Sequence, residues 1–103
     1  MPDIIWTSPA FRALENLPQA VAFGIIRQTD LLRAFPMLGP QLELPGLQIY
    51  RQLIHRRRYR VLYEYDEFEN NIYILAIQDC RQQFPQPRDL KRETDESGEL
   101  PLE

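Results

Sequence analysis

Arginine is the residue type in this sequence best suited to recognising phosphate. Of the 12 basic residues 11 are arginine, and Lys91 is the exception. The planar guanidinium group donates paired hydrogen bonds to a phosphate or a carboxylate, which the lysine ammonium group does not match. Residues 47–65 contain five basic residues and one acidic residue, so this stretch is locally +4. The five are Arg51, Arg56, Arg57, Arg58 and Arg60. Such a cluster is typical of proteins that bind a polyanion.

Two of these arginines lie on predicted strands. Successive side chains of a strand point to opposite faces, so Arg60 points to the face opposite Tyr59, whichever of the two faces is the core. On a sheet face that no helix covers, it could bind a ligand, or it could pair with Glu64 on the same face. Arg51 shares its face with Ile49 and Leu53, which predicts either a partly buried ion pair or the edge of a site.

The other three arginines of the cluster lie in a short polar link between two predicted strands. His55, Arg56, Arg57 and Arg58 separate two apolar runs and predict an exposed hairpin turn. The turn could contact RNA, or it could simply be solvated. His55 titrates in the range needed for general acid–base chemistry, although a single histidine in a turn is also commonly a solvated group.

Composition limits the other kinds of site. Cys80 is the single cysteine and His55 the single histidine, so the sequence predicts no disulfide, no metal site and no cofactor. A single thiol is typical of a reducing compartment. The longest uncharged apolar run, 20–26, is too short to span a membrane, and no signal peptide is expected. We therefore expect a soluble cytoplasmic protein.

Apolar patterning predicts four strands and two helices. A first strand meets Ser8, which can cap a helix, and Pro9, which fits the first helical turn. Pro18 separates two helical stretches, and Pro36 ends the second. The stretch 35–46 is rich in Pro and Gly and predicts a surface connection. The predicted strands are 4–7, 47–54, 59–65 and 72–78.

The short links between the last three strands predict an antiparallel meander. The run 72–77 is apolar on both faces, which predicts a central strand. The expected fold is α+β in the order β-α-α-β-β-β, with two antiparallel helices packed on one face of a small, mostly antiparallel sheet.

Charge divides the chain into a domain and a tail. The net charge is -3, but residues 1–92 carry 12 basic and 10 acidic groups. We predict one domain over 1–92 and a disordered acidic tail over 93–103. The tail could fold back over the patch 51–60 and compete with polyanions, or it could only aid solubility.

The chain resembles the RelE/ParE toxin superfamily over about residues 3–86. The resemblance is carried by the order of elements, by Leu17-Pro18 between the helices, by the strand Tyr50-Arg51-Gln52-Leu53, and above all by Tyr59-Arg60-Val61-Leu62-Tyr63 followed by an apolar strand and Arg81. It implies a toxin of a type II toxin–antitoxin module, held inactive by a cognate antitoxin. RelE-like members cleave mRNA in the ribosomal A site, whereas ParE-like members poison DNA gyrase and are not nucleases.

The resemblance also implies residue roles. Arg60 matches the arginine that contacts the scissile phosphate in RelE-like members, Arg51 matches the basic residue of the preceding strand, and Arg81 lies at or next to the basic position after the last strand. Converging guanidinium groups stabilise the negative charge that develops when a ribose 2′-hydroxyl attacks phosphorus.

The sequence departs from the family where proton transfer is expected. Asp79 and Cys80 stand where many members place His or Lys, and no tyrosine follows Tyr73. Asp79 could pair with Arg81 or Arg60. We therefore expect an mRNA endonuclease that acts with the ribosome, and keep two alternatives, a gyrase inhibitor and a degenerate member that only binds an antitoxin.

Overall fold

The computed structural model describes residues 1–94 and has the predicted α+β order. The predicted acidic tail, 93–103, lies outside the described residues except for its first two positions. The elements are β1 (Asp3–Trp6), α1 (Ser8–Glu15), α2 (Gln19–Asp30), a 3-10 helix (Leu31–Arg33), β2 (Arg51–His55), β3 (Tyr59–Asp66), β4 (Asn71–Asp79) and a second 3-10 helix (Pro87–Asp89). None of the helices in residues 1–94 has the length and hydrophobicity that a membrane span requires.

The sheet has the strand order β1-β4-β3-β2. The three later strands form the predicted antiparallel meander, and β1 pairs with β4 in parallel. β4 is therefore an inner strand, as its apolar composition on both faces predicts. The prediction of a small, mostly antiparallel sheet is confirmed.

The start of α1 differs by one residue from the prediction. Thr7, not Ser8, occupies the N-cap position, and Pro9 lies in the first turn as expected. The Thr7 hydroxyl does not cap the helix, because it donates 2.8 Å to the carbonyl oxygen of Ile74 on β4. The side chain thus ties the start of the helix to the sheet.

Each face of the sheet carries its own apolar core. The helix-side core joins both helices to inward residues of the strands, including Ile25, Val61, Tyr63 and Ile74. The far-side core, on the opposite face, is formed by Leu42, Leu47, Tyr50, Leu62, Leu75 and Leu90. Both faces of the sheet are therefore covered.

The far-side core corrects two predictions. The stretch 35–46 is more than a surface connection, because Leu42 within it is buried. The predicted strand 47–54 begins only at Arg51, because turn hydrogen bonds from Leu47 to Leu44 and from Tyr50 to Leu47 hold residues 44–50 out of the ladder. Leu47 and Tyr50 pack inward from these turns instead.

A register shift between β3 and β4 lets neighbouring residues of β4 pack in both cores. Tyr63 pairs with Ile74 and Leu62 pairs with Ala76, so Leu75 is an extra residue opposite the β3 strand. Leu75 packs in the far-side core while Ile74 packs in the helix-side core. Such a bulge also bends and twists the strand locally.

The connection before β2 is fixed by Tyr63 and Arg51. The Tyr63 hydroxyl accepts a hydrogen bond from the Gly39 N–H at 2.9 Å and donates one to the Pro36 carbonyl oxygen at 2.9 Å. Arg51 donates to the Gly39 carbonyl oxygen at 2.7 Å. Burial raises the pKa of Tyr63, so the hydroxyl keeps its proton.

Candidate nucleic-acid interface

Four exposed arginines meet at one end of the sheet. They belong to the turn between β2 and β3 and to the segment that follows β4, which lie side by side because Tyr59 pairs with Asp79 and the Cys80 N–H donates to the Arg58 carbonyl oxygen at 2.6 Å. We call this surface the arginine end. It consists of Arg56, Arg57, Arg58 and Arg81.

Asp79 orients two of these side chains. Its carboxylate accepts two hydrogen bonds from the Arg81 side chain, at 3.0 and 3.1 Å, one from the Arg81 backbone N–H at 2.9 Å, and one from Arg58 at 3.3 Å. The pairing with Arg81 is one of the two predicted for Asp79. Hydrogen bonds from Arg81 and Arg58 hold the pKa of Asp79 well below its usual range, so it stays ionised. With one carboxylate among four guanidinium groups, the arginine end keeps a charge of about +3 at neutral pH.

The turn that carries Arg56 and Arg57 has an uncommon backbone. Their φ angles are 55° and 56°, and the Arg58 N–H closes the turn onto the His55 carbonyl oxygen at 3.0 Å. Two successive positive φ angles are the pattern of a type I′ hairpin turn, which favours Asn and Gly. Arginine is strained in this conformation, and such strain is found most often at functional sites.

Replacing the two turn residues with Asn and Gly (R56N/R57G) is expected to stabilise the protein by about 1–2 kcal/mol, because it relieves the left-handed strain. Urea unfolding at neutral pH measures the change. The matched control R56K/R57K keeps both charges and both β-carbons and should leave stability near that of the wild type. An equal gain in the control would show that backbone strain is not the cause.

Arg60 lies on the face opposite Tyr63, as predicted, but it is only 6% exposed. Its Nη2 donates to the carbonyl oxygens of Cys80 at 2.8 Å and Gln82 at 3.0 Å. Its guanidinium group also stacks 3.8 Å from the centre of the Phe84 ring. No helix covers this face, but the irregular segment after β4 folds over it and buries Arg60.

Neither sequence-predicted partner of Arg60 binds it. Glu64 accepts two hydrogen bonds from Arg92, at 2.8 and 3.1 Å, and Asp79 binds Arg58 and Arg81. Arg51 lies on the other face of the sheet, since it pairs with Tyr63 in the ladder and donates to Gly39. The structure thus brings Arg81 close to Arg58 but does not bring Arg51, Arg60 and Arg81 onto one surface.

His55 is also directed away from the arginine end. It is the last residue of β2, and its Nδ1 lies 2.9 Å from the Gln28 Oε1 on α2. Its ring packs against Gly24, where a β-carbon would lie 2.7 Å from the His55 Cε1. This contact explains the glycine inside α2. Burial, aided by the charge of Arg56, lowers the pKa of His55.

This lowered pKa predicts a pH dependence of stability. Between the folded and unfolded pKa values of His55, the unfolded chain binds more protons, so stability falls as the pH drops below about 6.5. Urea unfolding midpoints between pH 7.5 and 5.5 should therefore decline in the wild type. The decline should be smaller in His55→Gln, and an unchanged profile in that variant would assign it to other groups.

Several solved structures share this fold. The chain superimposes on the RelBE2 toxin–antitoxin complex from Mycobacterium tuberculosis with a TM-score of 0.65 and 26% sequence identity, covering 77% of this chain and 99% of that one. The chain has the RelE-type toxin fold. The intact Escherichia coli RelBE complex gives a TM-score of 0.68 at 10% identity, covering 80% of this chain and 100% of that one. The RelE–RelB complex of Pyrococcus horikoshii gives 0.55 at 18% identity, covering 80% and 98%.

The resemblance to the RelE superfamily is thus confirmed at the level of structure. No protein-family model matches the sequence, and no curated protein is detectably similar to it. On the RelE-type fold, the arginine end occupies the end of β4 and the turn beside it.

Sequence reasoning missed the part played by residues after Arg81. Phe84 covers Arg60, and Arg92 binds the carboxylates of Glu64 and Asp66 on β3. One signal was present. Glu64 and Asp66 alternate on an amphipathic strand, and such outward acidic residues require either solvent or a basic partner. Periodicity has no means of showing that the partner lies 28 residues further along the chain.

Proposed function

We propose that this chain is the toxin of a RelBE-type toxin–antitoxin pair and that it acts on messenger RNA through the arginine end. The observation that carries the proposal is the RelE-type fold together with four exposed arginines on one surface. The similar proteins are toxin–antitoxin complexes, which supports a cognate antitoxin as partner. Residues 1–92 would form the toxin domain, and the site of action would be the cytoplasm, where ribosomes translate.

The proposed chemistry is electrostatic. Attack of a ribose 2′-hydroxyl on the adjacent phosphate adds negative charge on the phosphate oxygens before the 5′-oxygen leaves. Arg81 and Arg58 are exposed and pre-oriented by Asp79, so they can meet that charge with little loss of side-chain freedom. The resemblance adds Arg60 as a direct phosphate ligand, beneath the segment that now covers it.

Gyrase inhibition without cleavage is the second candidate, and one observation favours it. Among the described residues near the arginine end, Asp79 is held ionised by two arginines and His55 faces α2. Neither is placed to exchange a proton with a substrate at this surface. A toxin that works only by binding would not need such a group.

Primer extension on a defined mRNA in a purified translation system tests the proposal. Wild-type protein should produce cuts only when ribosomes are present. Arg81→Ala should reduce cutting by about 100-fold, the effect of losing one transition-state donor. Arg12→Ala, which removes an exposed arginine from α1, is the matched control and should cut normally.

The contrary outcome is also informative. If mRNA stays intact at high protein concentration, the nuclease proposal fails. A DNA gyrase supercoiling assay on the same preparation then tests the second candidate. Inhibition of supercoiling would support a ParE-like poison, and no inhibition would leave binding of an antitoxin as the remaining activity.

A further inference from the structure

The segment after β4 crosses the sheet face that the helices leave open. We call residues 81–93 the strap. At its near end Phe84 stacks on Arg60, in its middle Leu90 is buried in the far-side core, and at its far end the Glu93 carbonyl oxygen accepts a hydrogen bond from the Ser8 N–H at 2.7 Å. The strap therefore contacts the sheet and the start of α1 at separate points.

Arg92 makes the ion pairs that hold the far half of the strap. Arg92 contacts Glu64 at 2.8 Å, Asp66 at 3.2 Å and Glu69 at 3.7 Å. Its guanidinium group also lies 4.2 Å from the centre of the Tyr73 ring. The Arg92 side chain remains 34% exposed, so water and salt reach these contacts. Partly exposed ion pairs of this kind are individually weak and are screened by salt.

Apolar burial holds the strap at two side chains. Leu90 is buried in the far-side core and the half-buried Phe84 packs against that core, while Arg81, Gln82 and Gln83 are exposed. Pro85 and Pro87 leave the strap without strand hydrogen bonds to the sheet, and its regular structure is limited to a three-residue 3-10 turn. A segment with few buried apolar contacts opens at low free-energy cost.

The closed arrangement also leaves polar atoms unsatisfied. Among the described residues, the buried Arg60 Nε and the buried Gln78 Oε1 have no hydrogen-bond partner, although these two residues are opposite one another in the β3–β4 ladder. Both backbone acceptors of Arg60 bind a single nitrogen, Nη2. A guanidinium group has five N–H donors, so most of its capacity for an anion is unused in the closed state.

We propose that the strap is a cover over Arg60, latched by Arg92, and that its opening admits an RNA phosphate to the guanidinium group. This inference rests on the proposed function and adds its regulation. In the closed state an anion meets only the arginine end. When Arg92 leaves its three carboxylates, Phe84 and the carbonyl oxygen of Gln82 withdraw, and the Arg60 donors become available beside Arg58 and Arg81.

Arg92→Gln tests the latch, and Arg88→Gln, in the same strap but outside the carboxylate cluster, is the matched control. Hydrogen exchange of the strap amides measures opening, and fluorescence anisotropy with a single-stranded RNA oligomer measures binding. Arg92→Gln should accelerate exchange in the strap and raise RNA affinity by about tenfold, as expected if the open state is about a tenth of the population before the change. The control should alter neither.

A second pair of variants assigns the gain to Arg60. Arg60→Gln should abolish the gain in the Arg92→Gln background, and it should also lower RNA affinity in the wild-type background, because the open tenth of the population carries most of the binding. If the Arg60 variants do not fold, Phe84→Ala gives an independent test, because removing the ring that covers Arg60 should also raise affinity.

The possible outcomes distinguish failure of the inference about the strap from failure of the proposed function. Faster strap exchange without a gain in affinity, or a gain that survives loss of Arg60, would overturn the cover. Unchanged exchange in Arg92→Gln would overturn the latch. Failure of the proposed function would appear instead as intact mRNA in the translation assay, whatever the strap does.

Discussion

Gly39→Ala should destabilise the protein by about 3 kcal/mol, the upper end of the usual overpacking cost. A β-carbon at this position would lie 2.3 Å from the Gln52 carbonyl oxygen, 2.9 Å from the Gln52 carbonyl carbon and 3.0 Å from the Tyr63 Cε1. The first two atoms are backbone of β2, which is held by its ladder to β3 and cannot move alone. Relief would also break the hydrogen bond between the Gly39 N–H and Tyr63.

Gly24→Ala is the matched comparison, measured with Gly39→Ala by urea unfolding. Its added β-carbon meets the imidazole ring of His55, at 2.7 and 2.9 Å, and no backbone atom. A side-chain ring can rotate away, and alanine inside a helix gains about 1 kcal/mol over glycine. The loss should therefore be clearly smaller than for Gly39→Ala. Equal losses at the two positions would contradict the distinction between backbone and side-chain obstruction.

Removing the charges of the arginine end should have the largest effect on binding. The variant with all four arginines replaced by glutamine (R56Q/R57Q/R58Q/R81Q) is expected to bind single-stranded RNA about 100-fold more weakly at moderate salt. The slope of log affinity against log salt should fall by about 3, because each phosphate contact on a single strand contributes about 0.7. Anisotropy titrations at several salt concentrations give both quantities.

The matched control removes the same charge elsewhere. The variant R12Q/R27Q/R33Q/R88Q replaces four arginines outside the arginine end, so the net charge changes equally. It should lose only a few-fold in affinity and keep most of the salt slope. Equal losses in the two variants would show that the overall charge of the protein attracts RNA. The arginine end would then contribute no more than the other arginines.

Local patterning predicts the sheet well because strands and turns are encoded by near neighbours. The run from Ile72 to Ile77 is apolar on both faces, and this placed β4 inside the sheet. Alternation along β3 placed Arg60 opposite Tyr59 and Tyr63. Pro18 and the short polar links fixed the helix break and the hairpins.

The same local patterning does not predict that Arg60 is buried. Its cover is Phe84 in an irregular segment, and no periodicity links position 84 to position 60. The same holds for Leu42 and Leu47, which lie among proline and glycine residues yet pack in the far-side core. Breakers mark where regular structure ends, but they do not show whether the chain then packs against the sheet or leaves it.

The candidate site was predicted in part. The turn arginines and Arg81 lie together because β3 begins where β4 ends, a relation that follows from the hairpin order. We expected Arg51 to lie beside Arg60. Strand pairing instead makes Arg51 the ladder partner of Tyr63, so its side chain lies on the helix-side face of the sheet. A shift of one residue moves a strand side chain to the other face, so composition alone leaves such an assignment open.

The parallel pairing of β1 with β4 affects how the chain acquires its fold during synthesis. Ile4 pairs with Ile72, and Ser8 is hydrogen-bonded to Glu93, so β1 has no partner in the sheet until β4 has been translated. Both helices can form early, but the sheet that completes their core cannot close over β1 until β4 has left the ribosome. Such long-range contacts slow folding. A newly made copy would therefore spend its translation time without a finished arginine end, an interval in which an antitoxin already present could meet it.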